Sequence, residues 1–167
     1  MISAIISDTL LLKSPTCTPR DVEVFEKLEK IAGVDGNEYG LDLLKAGTDI
    51  SDYSAEKIID LDAKLFEESG KKFVINQVNT ADIDDVLKRK EEFVEAIKKV
   101  VDEKGLAFYV FVITDIVNTN SKAFAVGADK DILEKAFKVK IDNDDCVFLE
   151  GVVSRKKQIA PTIIKAL

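Results

Sequence analysis

The stretch from Leu106 to Val117 narrows most sharply what this chain can fold into. It is a continuous apolar run placed directly after Gly105, and a run of this kind marks a central strand covered on both faces. Covering both faces requires flanking helices, and the neighbouring sequence alternates helix and strand signals. Phe73-Val74-Ile75 and Val78 read as a strand, and Thr80 or Asp82 starts a helix over 83–104 with Val86, Phe93, Ile97, Val100 and Val101 as its buried stripe. Lys122 to Val126 reads as the strand after a turn at Val117–Ser121. Ile132, Leu133, Ala136 and Phe137 form one more helix, and Cys146 to Leu149, then Val152-Val153, the last strands. The expected fold of this part is α/β, a mixed sheet flanked by helices.

The N-terminal part carries no strand signal. Residues 1–12 predict a helix that is apolar nearly all round and ends in the Lys13–Arg20 break. Thr18 is the expected N-cap of a second helix, with Pro19 in its first turn, Val22, Phe25, Leu28 and Ile31 as its stripe and Gly33 as its stop. A third, over 37–46, carries Tyr39, Leu41, Leu43 and Leu44 and ends at Gly47. The expected division is a helical segment over 1–47, a linker over 48–53 and an α/β domain over 54–167. The helical segment reads as the end of a larger domain cut on its N-terminal side, so the apolar face of 1–12 should associate or stay disordered. Ser54 caps the next helix, whose apolar side is Ile58, Ile59 and Leu61, with Lys64 at its end.

The chain contains no histidine, which removes the commonest general base and transition-metal ligand and excludes a Ser-His-Asp or Cys-His catalytic group. Two cysteines, Cys17 and Cys146, are too few for a thiolate cluster or a disulfide scaffold. The formal charge of −7 speaks against general nucleic-acid binding but not against a small phosphate in a local basic pocket. Met1–Leu12 lacks a basic start and is interrupted by Asp8, so it is not read as a signal peptide; no segment suits a membrane span, and a cytoplasmic location follows.

Against that acidic background, Ser154-Arg155-Lys156-Lys157-Gln158 places three cations side by side, just before Ile159-Ala160-Pro161. With Pro161 opening a short closing helix, the cations are expected on an extended segment leading into a helix N-terminus, where an anion is favoured. Arginine adds a planar fork for phosphate oxygens and lysine a point charge; the plain alternative is a solvated basic patch. Asp8, among Ile5, Ile6, Leu10 and Leu11, needs a cation, a metal or several donors if it is buried, and otherwise points to solvent. Asp115 reads as a turn cap, and Lys64 as an exposed, dipole-compatible lysine. Gln77 and Asn79 at a strand end are candidates for lining a cleft, although such alternation is usually surface. No GxxxxGK[ST] phosphate loop is present.

Several of these stretches resemble family II, manganese-dependent inorganic pyrophosphatases of the DHH phosphoesterase superfamily. They are Ser3–Leu11, Lys13–Thr18, Glu38-Tyr39-Gly40, Leu44–Gly47, Gln77–Thr80, Ile113–Ile116 and Gly151–Gln158, in that order. The resemblance implies that Asp8 bridges two manganese ions and that Lys64, Arg155 and Lys156 grip pyrophosphate in a cleft between domains. A metal-bridging hydroxide would attack the phosphorus in line. It also implies a homodimer for the complete enzyme. The family's histidine-bearing motifs are absent, and Leu12 stands where an aromatic residue is expected. The chain is therefore expected to be the C-terminal part of such an enzyme, inactive alone; a stand-alone phosphate or pyrophosphate sensor that docks a partner through its first helix is the alternative.

Overall fold

The computed structural model describes residues 1–167. Its centre is a five-stranded sheet in the order β1 (Ala63–Glu68), β2 (Lys71–Thr80), β3 (Phe108–Asp115), β4 (Asn120–Gly127) and β5 (Val147–Leu149). β2 and β3 are parallel and every other neighbour pair is antiparallel, so the sheet is mixed. β3 is buried from Phe108 to Thr114, as its unbroken apolar sequence requires. On one face, α4 (Ala55–Leu61) and α6 (Lys90–Lys104) cover Val74, Tyr109, Phe111 and Phe124. On the other, α7 (Ile132–Phe137) and the C-terminal helix α8 (Ala160–Lys165) cover Phe73, Phe108, Val110 and Val112.

Three helices precede the sheet. α1 (Ile2–Thr9) ends earlier than its sequence suggests, because Leu10, Leu11 and Leu12 all take left-handed backbone angles, with φ of 48°, 53° and 63°. Such angles cost an L-residue about 1–2 kcal/mol each. The offsetting gain is burial of Leu10 and Leu11, the latter packed against Gly40 of α3 (Gly36–Gly47), where a Cβ would lie 2.3 Å from its Cδ1. Within α1 only Ile6 and Thr9 are buried, Ile2 and Ile5 are half-buried, and Asp8 is exposed. α2 (Pro19–Ala32) has the expected start, a reciprocal capping box between Thr18 and Asp21, and ends at Gly33 with φ 66°.

Three further expectations change. The helix opened by Ser54 stops at Leu61, and Lys64 lies on β1, not at a helix end. β1 escaped notice because its residues are almost all exposed, leaving no apolar alternation; a hairpin turn at Ser69 and Gly70, with φ of 51° and 74°, pairs it with β2. The helix read over 83–104 is two, α5 (Ile83–Leu87) and α6, broken where the Arg89 guanidinium reaches the carbonyls of Ile50 and Tyr53. Val152-Val153 is not a strand, since β5 ends at Leu149. No helix is long and apolar enough to cross a membrane.

Candidate phosphate-binding site

The basic stretch is not an extended lead-in. Arg155–Ile159 is itself a turn of π-helix, capped by the Ser154 side chain on Lys157 N–H and continuous with α8. Its wide spacing shows in the bond from Ile159 N–H to the Ser154 carbonyl, 3.1 Å, five residues back. Pro161 explains the width: its ring crowds the carbonyl four residues earlier and it has no N–H to donate, so the turn before it opens.

Side chains from three adjacent strands hold this turn. Gln77 of β2 donates from Nε2 to Thr114 Oγ1 at 2.7 Å and to the Val153 carbonyl at 2.9 Å, while its Oε1 accepts from Arg155 N–H at 3.1 Å. Thr114 of β3 meets Ser121 of β4 at 2.9 Å, and the Ser121 hydroxyl donates to the Val152 carbonyl at 2.6 Å. Gln158 closes the loop from within, its Oε1 accepting from Val153 and Ser154 N–H at 3.0 Å each. Buried hydroxyls need partners: Thr114 finds them in Gln77 and Ser121, and Ser121 and Gln77 in turn bond the carbonyls of Val152 and Val153, so the segment before the cations is tied to the sheet centre. Sequence reading gave no role to Thr114, Ser121 and Gln158 and left Gln77 between a cleft-lining residue and a surface one. The available signal was Thr114, directly after the apolar stretch Phe108–Ile113, whose hydroxyl on a strand buried on both faces has to be satisfied.

Arg155 is 19% exposed and its guanidinium lies on the α4–β1 corner: Nη2 meets Asp62 Oδ1 at 2.8 Å and Nη1 donates to the Asp62 backbone carbonyl. That corner is fixed from behind, where Asn76 Nδ2 donates to the carbonyls of Ile58 and Ile59, and the Tyr109 hydroxyl also donates to Ile59. Burial pushes the Tyr109 phenol well above its ordinary pKa, with the nearby Asp60 charge adding to the effect. Lys64, two residues beyond Asp62, is exposed with its ammonium 5.8 Å from the centre of the Phe66 ring. Lys156 is exposed and has no hydrogen-bond or ion-pair partner. Arg155 is thus tied to the α4–β1 corner through Asp62 and to β2 through Gln77, while Lys64 follows two residues after Asp62 on β1 and Lys156 follows Arg155 on the turn.

Asp8 reaches this corner only indirectly. Its carbonyl accepts from Thr16 Oγ1 at 3.1 Å, and the carbonyl of neighbouring Pro15 accepts from Lys157 Nζ at 2.6 Å. The Asp8 carboxylate is exposed and bonded to nothing. No three His, Cys, Asp or Glu side chains converge to hold a metal ion. A lone exposed carboxylate in a chain without histidine does not fit a manganese site, which needs several oxygen or imidazole ligands. Asp115 caps its turn as expected, accepting from Val117 and Asn118 N–H at 2.8 Å. Asn79 lines a cleft of about 430 Å³ with Ser7, Leu10 and Leu44. A cleft of about 520 Å³, lined by none of Lys64, Arg155 and Lys156, lies along β4 between α6 and α7.

Comparison with known proteins places these features in context. Residues 41–166 match the family model described as the DHHA2 domain. The chain is 52% identical over 167 residues to the manganese-dependent inorganic pyrophosphatase of Bacillus subtilis, covering 100% of this chain and 54% of that protein. A Staphylococcus haemolyticus protein assigned the same activity is also 52% identical, with the same coverage. The crystal structure of a Methanococcus jannaschii protein assigned to the family II inorganic pyrophosphatases superposes with a TM-score of 0.86 at 43% identity, covering 99% of this chain and 53% of that one. The chain spans about half the length of the curated relatives it matches.

Proposed function

The chain belongs to the DHHA2 domain family, and from that premise we propose that it supplies the phosphate-gripping side of a manganese-dependent inorganic pyrophosphatase. One observation carries this reading: Arg155 and Lys156 sit on a turn whose preceding backbone is tied to three strands, and the Arg155 side chain reaches Asp62, two residues before Lys64. Phosphoryl transfer involves little covalent chemistry for a protein to perform; positioned cations neutralise charge on the phosphate oxygens. In this reading Arg155 offers its fork bidentately, and Lys64 and Lys156 add point charges free to reorient.

Asp8 is proposed as one carboxylate of the metal centre in the active enzyme. Its remaining ligands are not among these 167 residues, which contain no histidine and no converging acidic group. Hydrolysis is therefore assigned to the assembled enzyme, and the chain alone is expected to bind pyrophosphate without turning it over. The helical residues 1–47 and the α/β residues 54–167 would then be the metal-side and phosphate-side parts of one cleft.

The test is a pyrophosphate titration of the chain followed by amide NMR, with Arg155→Ala beside it, and a phosphate-release assay with manganese. The expected result is weak saturable binding centred on residues 153–158, at least tenfold weaker in the variant, with no turnover. Binding unaffected by Arg155→Ala would remove the basic turn from the site, and robust turnover by the chain alone would overturn the assignment of hydrolysis to a larger assembly.

A further inference from the structure

The reading of Arg155 as a phosphate ligand leaves its existing partner unexplained. Two of the guanidinium's five N–H groups are already engaged by Asp62, one by its carboxylate and one by its backbone carbonyl. The rest of the side chain is largely buried, so the guanidinium cannot swing freely to an incoming anion. Asp62 caps the C-terminus of α4, with φ −134° and ψ 44°; its carbonyl has no helical partner and is open to the arginine. The corner does not depend on Arg155 for its position, because Asn76 and Tyr109 hold the carbonyls of Ile58 and Ile59 from the sheet side. The Asp62 carboxylate is itself 58% exposed and forms no other ion pair, so nothing else in the fold requires its negative charge.

We infer that Asp62 is a resident anion that competes with phosphate for Arg155, holding the guanidinium in place and keeping its grip on a ligand weak enough to release. This rests on the phosphate-gripping reading of Arg155. An incoming phosphate takes the place of the carboxylate on the guanidinium, or shares it at the cost of like-charge repulsion; either way Asp62 lowers affinity. The carboxylate is therefore a determinant of binding strength, whereas a purely structural aspartate would raise affinity by ordering the arginine.

Asp62→Asn separates the two. It preserves the backbone carbonyl and an Oδ1 acceptor, so the corner keeps both bonds and loses only the charge. Wild type, Asp62→Asn, Arg155→Ala and the double variant are titrated with pyrophosphate and with orthophosphate by amide NMR, at about 0.01 M and about 1 M salt. The expected outcome is about fivefold tighter binding for Asp62→Asn at low salt, the size expected of one charge acting near the surface. The gain should fade at high salt and vanish in the Arg155→Ala background. Equal or weaker binding by Asp62→Asn, with Arg155→Ala still impaired, overturns the inference and leaves the reading of Arg155 standing. If Arg155→Ala binds as well as wild type, or no protein binds saturably, the reading falls and the inference with it.

Discussion

The sheet and the three helices before it are held by very different cores. The sheet buries clusters of 15 and 13 residues on its two faces, while the helices share a cluster of seven to which the sheet region contributes Ile116 and Val153. The helical part thus borrows apolar surface from the end of β3 and from the segment leading into the basic turn. Its remaining ties to the sheet region include two lysine bonds to carbonyls, Lys13 to Val117 at 3.2 Å and Lys157 to Pro15 at 2.6 Å. Exposed bonds of this kind contribute little each. The difference teaches where motion belongs: Arg155 rides on the stiff part, Asp8 on the part that opens more easily.

The largest test of that contrast is Phe111→Ala. Phe111 is fully buried and stacked between Phe93 and Phe124 at centroid distances of 4.9 and 5.3 Å. Its loss should cost about 3–5 kcal/mol and lower the denaturant midpoint of the whole sheet. A change confined to the N-terminal helices would contradict the account of the core.

Leu11→Ala comes next, at about 2–3 kcal/mol because the site is peripheral. It empties the notch against Gly40 while leaving three left-handed residues in place. Hydrogen exchange should quicken across α1–α3 and stay unchanged in β2–β4. Equal loss of protection in both regions would make the molecule one cooperative unit.

The smallest effect near neutrality belongs to Tyr109→Phe, about 1 kcal/mol for one hydrogen bond. Its sharper signature is alkaline. The folded state raises the phenol's pKa above the unfolded value, so the stabilisation is complete below about pH 10 and is lost as pH rises from there towards the folded value. Wild-type stability should decline in that window more steeply than the variant's, read from urea midpoints; parallel curves would place Tyr109 in a wetter environment.

Legibility from sequence followed burial. β3 was plain because an apolar run has few alternatives, and α2 because Thr18, Pro19 and Gly33 carry local cap chemistry that works wherever the helix sits. β1 was hidden because an exposed edge strand needs only a partner, and its partner lies across a turn whose meaning depends on β2. The break at Arg89 was hidden because its cause, the carbonyls of Ile50 and Tyr53, lies far back in the sequence. The candidate cations were visible as residues, and Arg155 stood out through its neighbours. The anchoring of the turn by Gln77, Thr114 and Ser121 was not, since each is ordinary alone and acquires this role only where adjacent strands align them.

The central strand covered on both faces, the absence of an imidazole and the placement of three adjacent cations were all settled by the sequence itself, because they depend on residue type and local spacing. Tertiary structure decided that the cations form a π-turn tied to the sheet, that Arg155 faces Asp62, and that Asp8 stands exposed on the weaker side. Those outcomes depend on contacts between residues tens of positions apart, and no local preference of the chain encodes which of its many possible distant partners will meet.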